Sequence, residues 1–260
     1  MMGGMARQCV FCGASGLTRE HVIPQWLTSV LPEQERWRGQ DQATIYRDPT
    51  VPNSAPLHRE LVERFNAMTV KAVCASCNNT FMNRIEAEAR PILSTMIRGR
   101  RLVIALAPET LTKLATWAVK TGLMVQLTGQ EPASLEPLYQ HLYREGRPSD
   151  ECRVWLGQVD DEDWALHAEY PTALVQMDGE ETDASDPPNV VAVTLGLGAL
   201  LLHMFLPANP SLGYLPDLQN SFTGLVAIWP NPSAAQWPPA RITRADEAWA
   251  ISMTLPLLYS

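Results

Sequence analysis

The stretch CVFC at residues 9–12, answered by CASCNN at 74–79, decides how this chain is read. Each stretch carries a C-x2-C pair, and residues 13–73 lie between them. Two such pairs can close around one tetrahedral ion, because soft thiolates favour zinc over hard cations and each short loop presents two sulfurs to a common point. Four thiolates leave no open coordination position. A zinc held by Cys9, Cys12, Cys74 and Cys77 is therefore expected to be structural, stapling a module with too little apolar surface to fold alone. The competing reading is a redox dithiol of the thioredoxin kind, which needs a βαβ context that neither pair shows. Cys152, in ECRVWLG, reads as an ordinary buried thiol.

Working outward, GASGLTREHVIPQWL comes after the first pair. Gly13, Ser15 and Gly16 form a turn, Leu17 to Ile23 run as a short strand carrying Glu20 and His21, and Pro24 stops it. NNTFMNRIEAEARPIL comes after the second pair. Its apolar Phe81, Met82, Ile85 and Ala89 recur with helical period, and Asn79, Asn83 and Glu86 share another face. A zinc at the junction would pin the helix start against the strand and bring Glu20 and His21 close to Asn78 or Asn79. Plainer roles exist for each: His21 completing hydrogen bonds, Glu20 as a surface carboxylate, Asn78 and Asn79 capping the helix.

C-x2-C, then Glu-His near a strand end, then C-x2-C-N opening a helix resembles the HNH endonucleases with a four-cysteine zinc, in the ββα-metal superfamily. The resemblance spans about residues 7–90. The later segment TWAVKTGLMV is also similar to the segment C-terminal to the nuclease motif in a group of bacterial HNH-like proteins. The resemblance implies an endonuclease that hydrolyses phosphodiester bonds in DNA, with His21 as general base, Glu20 and Asn78 as catalytic metal ligands, and magnesium or manganese as the ion. Asn79 and Glu86 are further candidate ligands. The chain departs from the family in three ways. The Asn that orients the catalytic His has no counterpart just before Cys74, the nearest being Asn66. The 61 residues between the pairs imply an insertion at about 31–66. The helix carries Asn where the family commonly has a His ligand. The rival reading is a non-catalytic zinc module that binds nucleic acid or a protein partner.

Charge is distributed unevenly along the chain. The net charge is −8, yet residues 1–101 hold 13 basic and 9 acidic residues while 102–260 hold 7 and 19. The front third is thus expected to meet phosphate. Within the insertion, Arg36, Arg38, Arg47, Arg59 and Arg64 are candidate phosphate contacts, with Trp26 and Trp37 packing or stacking nearby. With 46% hydrophobic and 18% charged residues, disorder is excluded. The start, MMGGMARQ, lacks the pattern of a secretory signal. The apolar run from Val190 to Leu206 is 17 residues long, short of the roughly 20 needed to cross a bilayer, and fits two buried strands with a glycine bend. A cytoplasmic protein with no membrane partner is expected.

Beyond residue 91, PETLTKLATWAVKTGLMVQLTG reads as a helix entered by Pro108, and PASLEPLYQHLYREG as a second. CRVWLGQV, WALHAEYPTALVQM, NVVAVTLGLG, ALLLHMFL and GLVAIWP read as strands. The expected class is α+β: an HNH-like module at about 5–90, then an α+β domain of unknown function at 91–260 with a mainly antiparallel sheet. That second region carries no catalytic constellation, and it leaves room for a homodimer.

Overall fold

A computed structural model describes residues 8–31, 41–45, 57–61, 68–98, 103–129, 132–160, 164, 166–175, 186–209 and 224–253, with backbone alone for 41–45 and 57–61. Arg36, Trp37, Arg38, Arg47, Arg64 and Asn66 lie outside these residues, as does the side chain of Arg59.

The chain is α+β, with a mainly antiparallel sheet. At the front, β1 (Leu17–His21) pairs antiparallel with β4 (Thr69–Cys74). Thr18 faces Val73 while Glu20 faces Val70, so β4 contributes one extra residue there, a bulge that bends the strand and re-aims its neighbours. The sequence between them, read as an insertion, contains the hairpin of β2 (Asp41–Ile45) and β3 (Leu57–Leu61). Neither strand shows clean alternation: charged residues are scattered through DQATI and LHREL, which hides the hairpin from a pattern reading.

After β4 the chain winds directly into a π-helical turn at Cys77–Met82 and then α1 (Asn83–Arg98). Ile85, Ala89, Leu93, Met96 and Ile97 form its buried stripe, at helical spacing. A short strand, β5 (Ile104–Leu106), leads into α2 (Pro108–Gln126), with Pro108 at the entry. Ala107 is the N-cap, and the Thr112 hydroxyl donates back to the Pro108 carbonyl at 3.0 Å. Every residue from Leu114 to Gln126 is buried, so α2 is covered on all sides. α1 and α3 (Glu136–Glu145) pack against it, as do strands of the large sheet.

That sheet has the order β11-β6-β10-β9-β7, with β8 (Thr172–Ala173) also on β9, and every pairing is antiparallel. Its strands are β6 (Arg153–Gln158), β7 (Leu166–Glu169), β9 (Val190–Leu197), β10 (Leu200–Pro207) and β11 (Val226–Trp229). The apolar run thus forms the hairpin β9–β10. Gly198 turns it at φ +59°, where a Cβ would lie 2.7 Å from the Ile97 carbonyl oxygen. β12 (Ala235–Trp237) pairs with β5, and α4 (Ala245–Ser252) closes the described chain. One apolar core runs from Phe11 at the first cysteine pair through α1 and α2 to Trp237. Among the described residues, no helix is long and apolar enough to cross a membrane.

Candidate metal centre and adjoining acidic site

The four cysteines converge. Cys9, Cys12, Cys74 and Cys77 place their sulfurs within 4.8 Å of one another, and the Cys12 and Cys74 sulfurs are 3.6 Å apart. A tetrahedral zinc with Zn–S bonds of about 2.3 Å requires sulfurs about 3.8 Å apart, so the group fits that ion and is far too open for a disulfide at about 2.05 Å. Local structure explains the convergence. Gly13, at φ +74°, turns the first loop back so that the Cys9 N–H donates to the Ala14 carbonyl at 2.8 Å. The Val10 N–H then donates to the carbonyl of Ala72, in the bulged part of β4, at 3.0 Å. The second pair spans the end of β4 and the first helical turn, where the Cys77 N–H points at the Cys74 sulfur at 3.5 Å. A strand does precede this pair and a helix does succeed it, but in an antiparallel ββα arrangement rather than βαβ.

Phe11 reinforces the junction, meeting Phe81 and Tyr139 edge-on at 5.2 and 5.4 Å. The thiols also disturb one another. Burial pushes Cys77 well above the ordinary thiol range, and its crowding by Cys12 and Cys9 adds to this. At Cys9 burial acts in the same direction, but hydrogen bonds from backbone N–H groups outweigh it and bring the thiol down to about 7. A set of thiols that cannot all ionise together is relieved by a cation in its middle. The four-cysteine group can hold a metal such as zinc.

Next to this staple lies a second cluster. Glu20, half-buried on β1, has Asn78 of the π turn as a hydrogen-bond partner. Burial raises the Glu20 pKa above its ordinary 4.5, Lys120 pulls it down, Glu86 pushes it up, and the Asn78 amide lowers it. Glu86, in the first turn of α1, accepts from the Lys120 ammonium at 2.8 Å. Lys120 comes from α2, and its side chain is 0% exposed against 17% for Glu86. Its ammonium also lies 5.9 Å from the centre of the Trp117 ring.

The π turn decides which asparagine joins. In an uninterrupted α-helix, two turns take about seven residues, which would set Asn79 over Glu86. One π turn uses about one residue more, so two turns take about eight and Asn78 moves onto the Glu86 face. Asn79 and Asn83 are left exposed. An uncommon helical form thus puts Asn78, next to the last cysteine, beside Glu20.

His21, at the end of β1, is partly buried, and its Nε2 lies 2.9 Å from the amide nitrogen of Gln25, in the 3-10 turn Gln25–Ser29. With the amide N–H donating, the ring proton sits on Nδ1; with the carboxamide turned over, it sits on Nε2. Either way Gln25 fixes the ring. Trp26 beside it carries the Arg90 guanidinium at 5.4 Å and faces Trp117 at 6.5 Å.

Glu20, Asn78 and Glu86 are therefore brought to one place, His21 adjoins them through the backbone, and Asn79 stands apart. Two members escaped the sequence reading. Gln25 carries no motif. Lys120 did have a signal: it is the one charged residue in LATWAVKTGLMV, a run otherwise fit for burial. Two other histidines among the described residues lie on the large sheet. His203 is buried on β10 against Thr194 at 2.8 Å, and His167 pairs with Glu169 at 3.0 Å on β7. Cys152 is buried, which raises its thiol pKa to about 12. No protein-family model, curated protein or solved structure matches this chain.

Proposed function

We propose that the chain is a metal-dependent endonuclease that hydrolyses phosphodiester bonds in DNA, using Glu20, His21 and Asn78. The observation that carries this reading is the meeting of Glu20 and Asn78 beside the four-cysteine group, at the end of the strand that also carries His21. A carboxylate and a carboxamide are hard oxygen donors, which suit magnesium or manganese and not a second zinc among thiolates. When bound, that ion would stabilise negative charge on the phosphate and on the leaving oxygen.

The chain's own groups have separate tasks. Glu20 and Asn78 would hold the ion, each oriented by the other. His21 takes a proton from the attacking water at Nδ1, which is free to accept it when the Gln25 carboxamide is turned so that its oxygen accepts from Nε2–H. Gln25 keeps the ring from turning, which supplies a carboxamide partner in place of the Asn that is missing just before Cys74. A zinc at the four cysteines would take no part in the reaction and would keep β1 against the π turn. A substrate of nucleic acid agrees with the positive balance of residues 1–101, and the exposed Arg19, Arg84 and Arg90 lie on the same ββα elements.

The test is plasmid nicking by the purified, zinc-loaded protein with magnesium or manganese. Nicking that is lost in His21→Ala, with zinc content unchanged, is the expected result. Inactivity with every divalent ion, together with retained zinc and binding to DNA or to a protein partner, would replace the enzyme by a non-catalytic zinc module.

A further inference from the structure

The proposed reaction uses Glu20, His21 and Asn78 and leaves Lys120 without a task. A fully buried lysine is an expensive residue for a fold. Taking an ammonium out of water costs several kcal/mol, and an apolar side chain of similar volume commonly replaces a buried ion pair without loss. Nothing about the packing of α2 calls for a charge, since its other residues from Leu114 to Met124 are apolar or small and buried. The charge is directed to one place: it sits 2.8 Å from Glu86 and within electrostatic reach of Glu20.

We infer that Lys120 is the resident counter-ion of the Glu20–Glu86 pair and competes with the divalent ion for those carboxylates. This inference rests on the proposed divalent-metal site and adds to it that α2, outside the ββα module, sets the affinity of the site. Two carboxylates alone would present two negative charges to an incoming dication. With the ammonium in place they present one, and Glu86 is engaged. Lys120 is accordingly a positioning residue: it holds Glu86 away from the ion, leaves Glu20 and Asn78 as the ligands, and keeps the affinity of the free protein low. The charge that is missing is then available from a phosphodiester, so ion and substrate are held best together.

The test reads manganese binding, not activity. Zinc-loaded wild type, Lys120→Met, Lys120→Gln and the double variant Lys120→Met with Glu20→Gln are titrated with manganese, monitoring the free ion by electron paramagnetic resonance. Removal of the cation should tighten manganese binding by about tenfold or more in Lys120→Met, and by a smaller factor in Lys120→Gln. Adding Glu20→Gln should abolish the gain. If Lys120→Gln folds and binds manganese as weakly as wild type or more weakly, the counter-ion role is overturned while the metal site stands. If no form binds manganese, or binding ignores Glu20→Gln, the metal reading itself fails and the inference falls with it.

Discussion

Replacing Glu86 by Ala strips a fully buried ammonium of its closest partner. The contact is a charge-assisted hydrogen bond of 2.8 Å, with Lys120 0% and Glu86 17% exposed. Breaking a buried pair from one side costs about 3–5 kcal/mol, because the remaining charge keeps its desolvation penalty. Glu20 stays nearby as a second negative charge and Glu86 is not wholly enclosed, so the loss should fall at the low end, about 3 kcal/mol. For a chain of this size that corresponds to a fall in Tm of about 6–12 °C. Urea unfolding of zinc-loaded protein, monitored by tryptophan fluorescence, measures it. The double variant Glu86→Leu with Lys120→Met removes both charges and should recover to within about 1 kcal/mol of wild type. A loss below about 1 kcal/mol in Glu86→Ala, or a double variant no better than the single one, would mean that Lys120 is solvated and that its pairing with the two carboxylates is wrong.

The same geometry fixes other outcomes. Cys74→Ser should release the metal and expose the remaining thiols to a thiol reagent without denaturant, since each of the four ligands closes the same site. Gly196→Ala should destabilise by several kcal/mol or prevent folding, because a Cβ there would lie 1.8 Å from the Trp164 carbonyl oxygen; urea midpoints compare it with wild type. Burial lowers the His203 pKa from 6.5 to about 3, so the ring stays neutral in the fold while the unfolded chain takes up a proton. Stability should therefore be full above pH 6.5 and fall as pH drops toward 3, by at most about 1.4 kcal/mol per unit from this group. His203→Phe should flatten that slope in unfolding curves measured across the window.

How much of the fold and the site could be read in the chain beforehand depended on the range of the signal. The cysteine pairs are legible because C-x2-C is a local pattern whose chemistry does not depend on the intervening chain, and β9 and β10 because an apolar run broken by Gly198 has few other uses. Helical period alone does not choose Asn78 over Asn79, and only the resemblance favours Asn78: the choice depends on a π turn that shifts the helical phase by one residue, which hydrophobic period does not register. Lys120 was visible as an oddity, but its partner is 34 residues away and the covering of α2 on all sides is a tertiary fact. Gln25 gained its task from the turn after Pro24, which sets it over His21 at a separation of four residues.

Everything proposed for the site depends on four sulfurs meeting at one ion. X-ray absorption of the purified protein at the zinc edge measures this directly. One zinc per chain with a first shell of four sulfurs at about 2.3 Å is the expected result. A shell containing nitrogen or oxygen, two sulfurs only, or a chain that binds no metal and forms disulfides would contradict it.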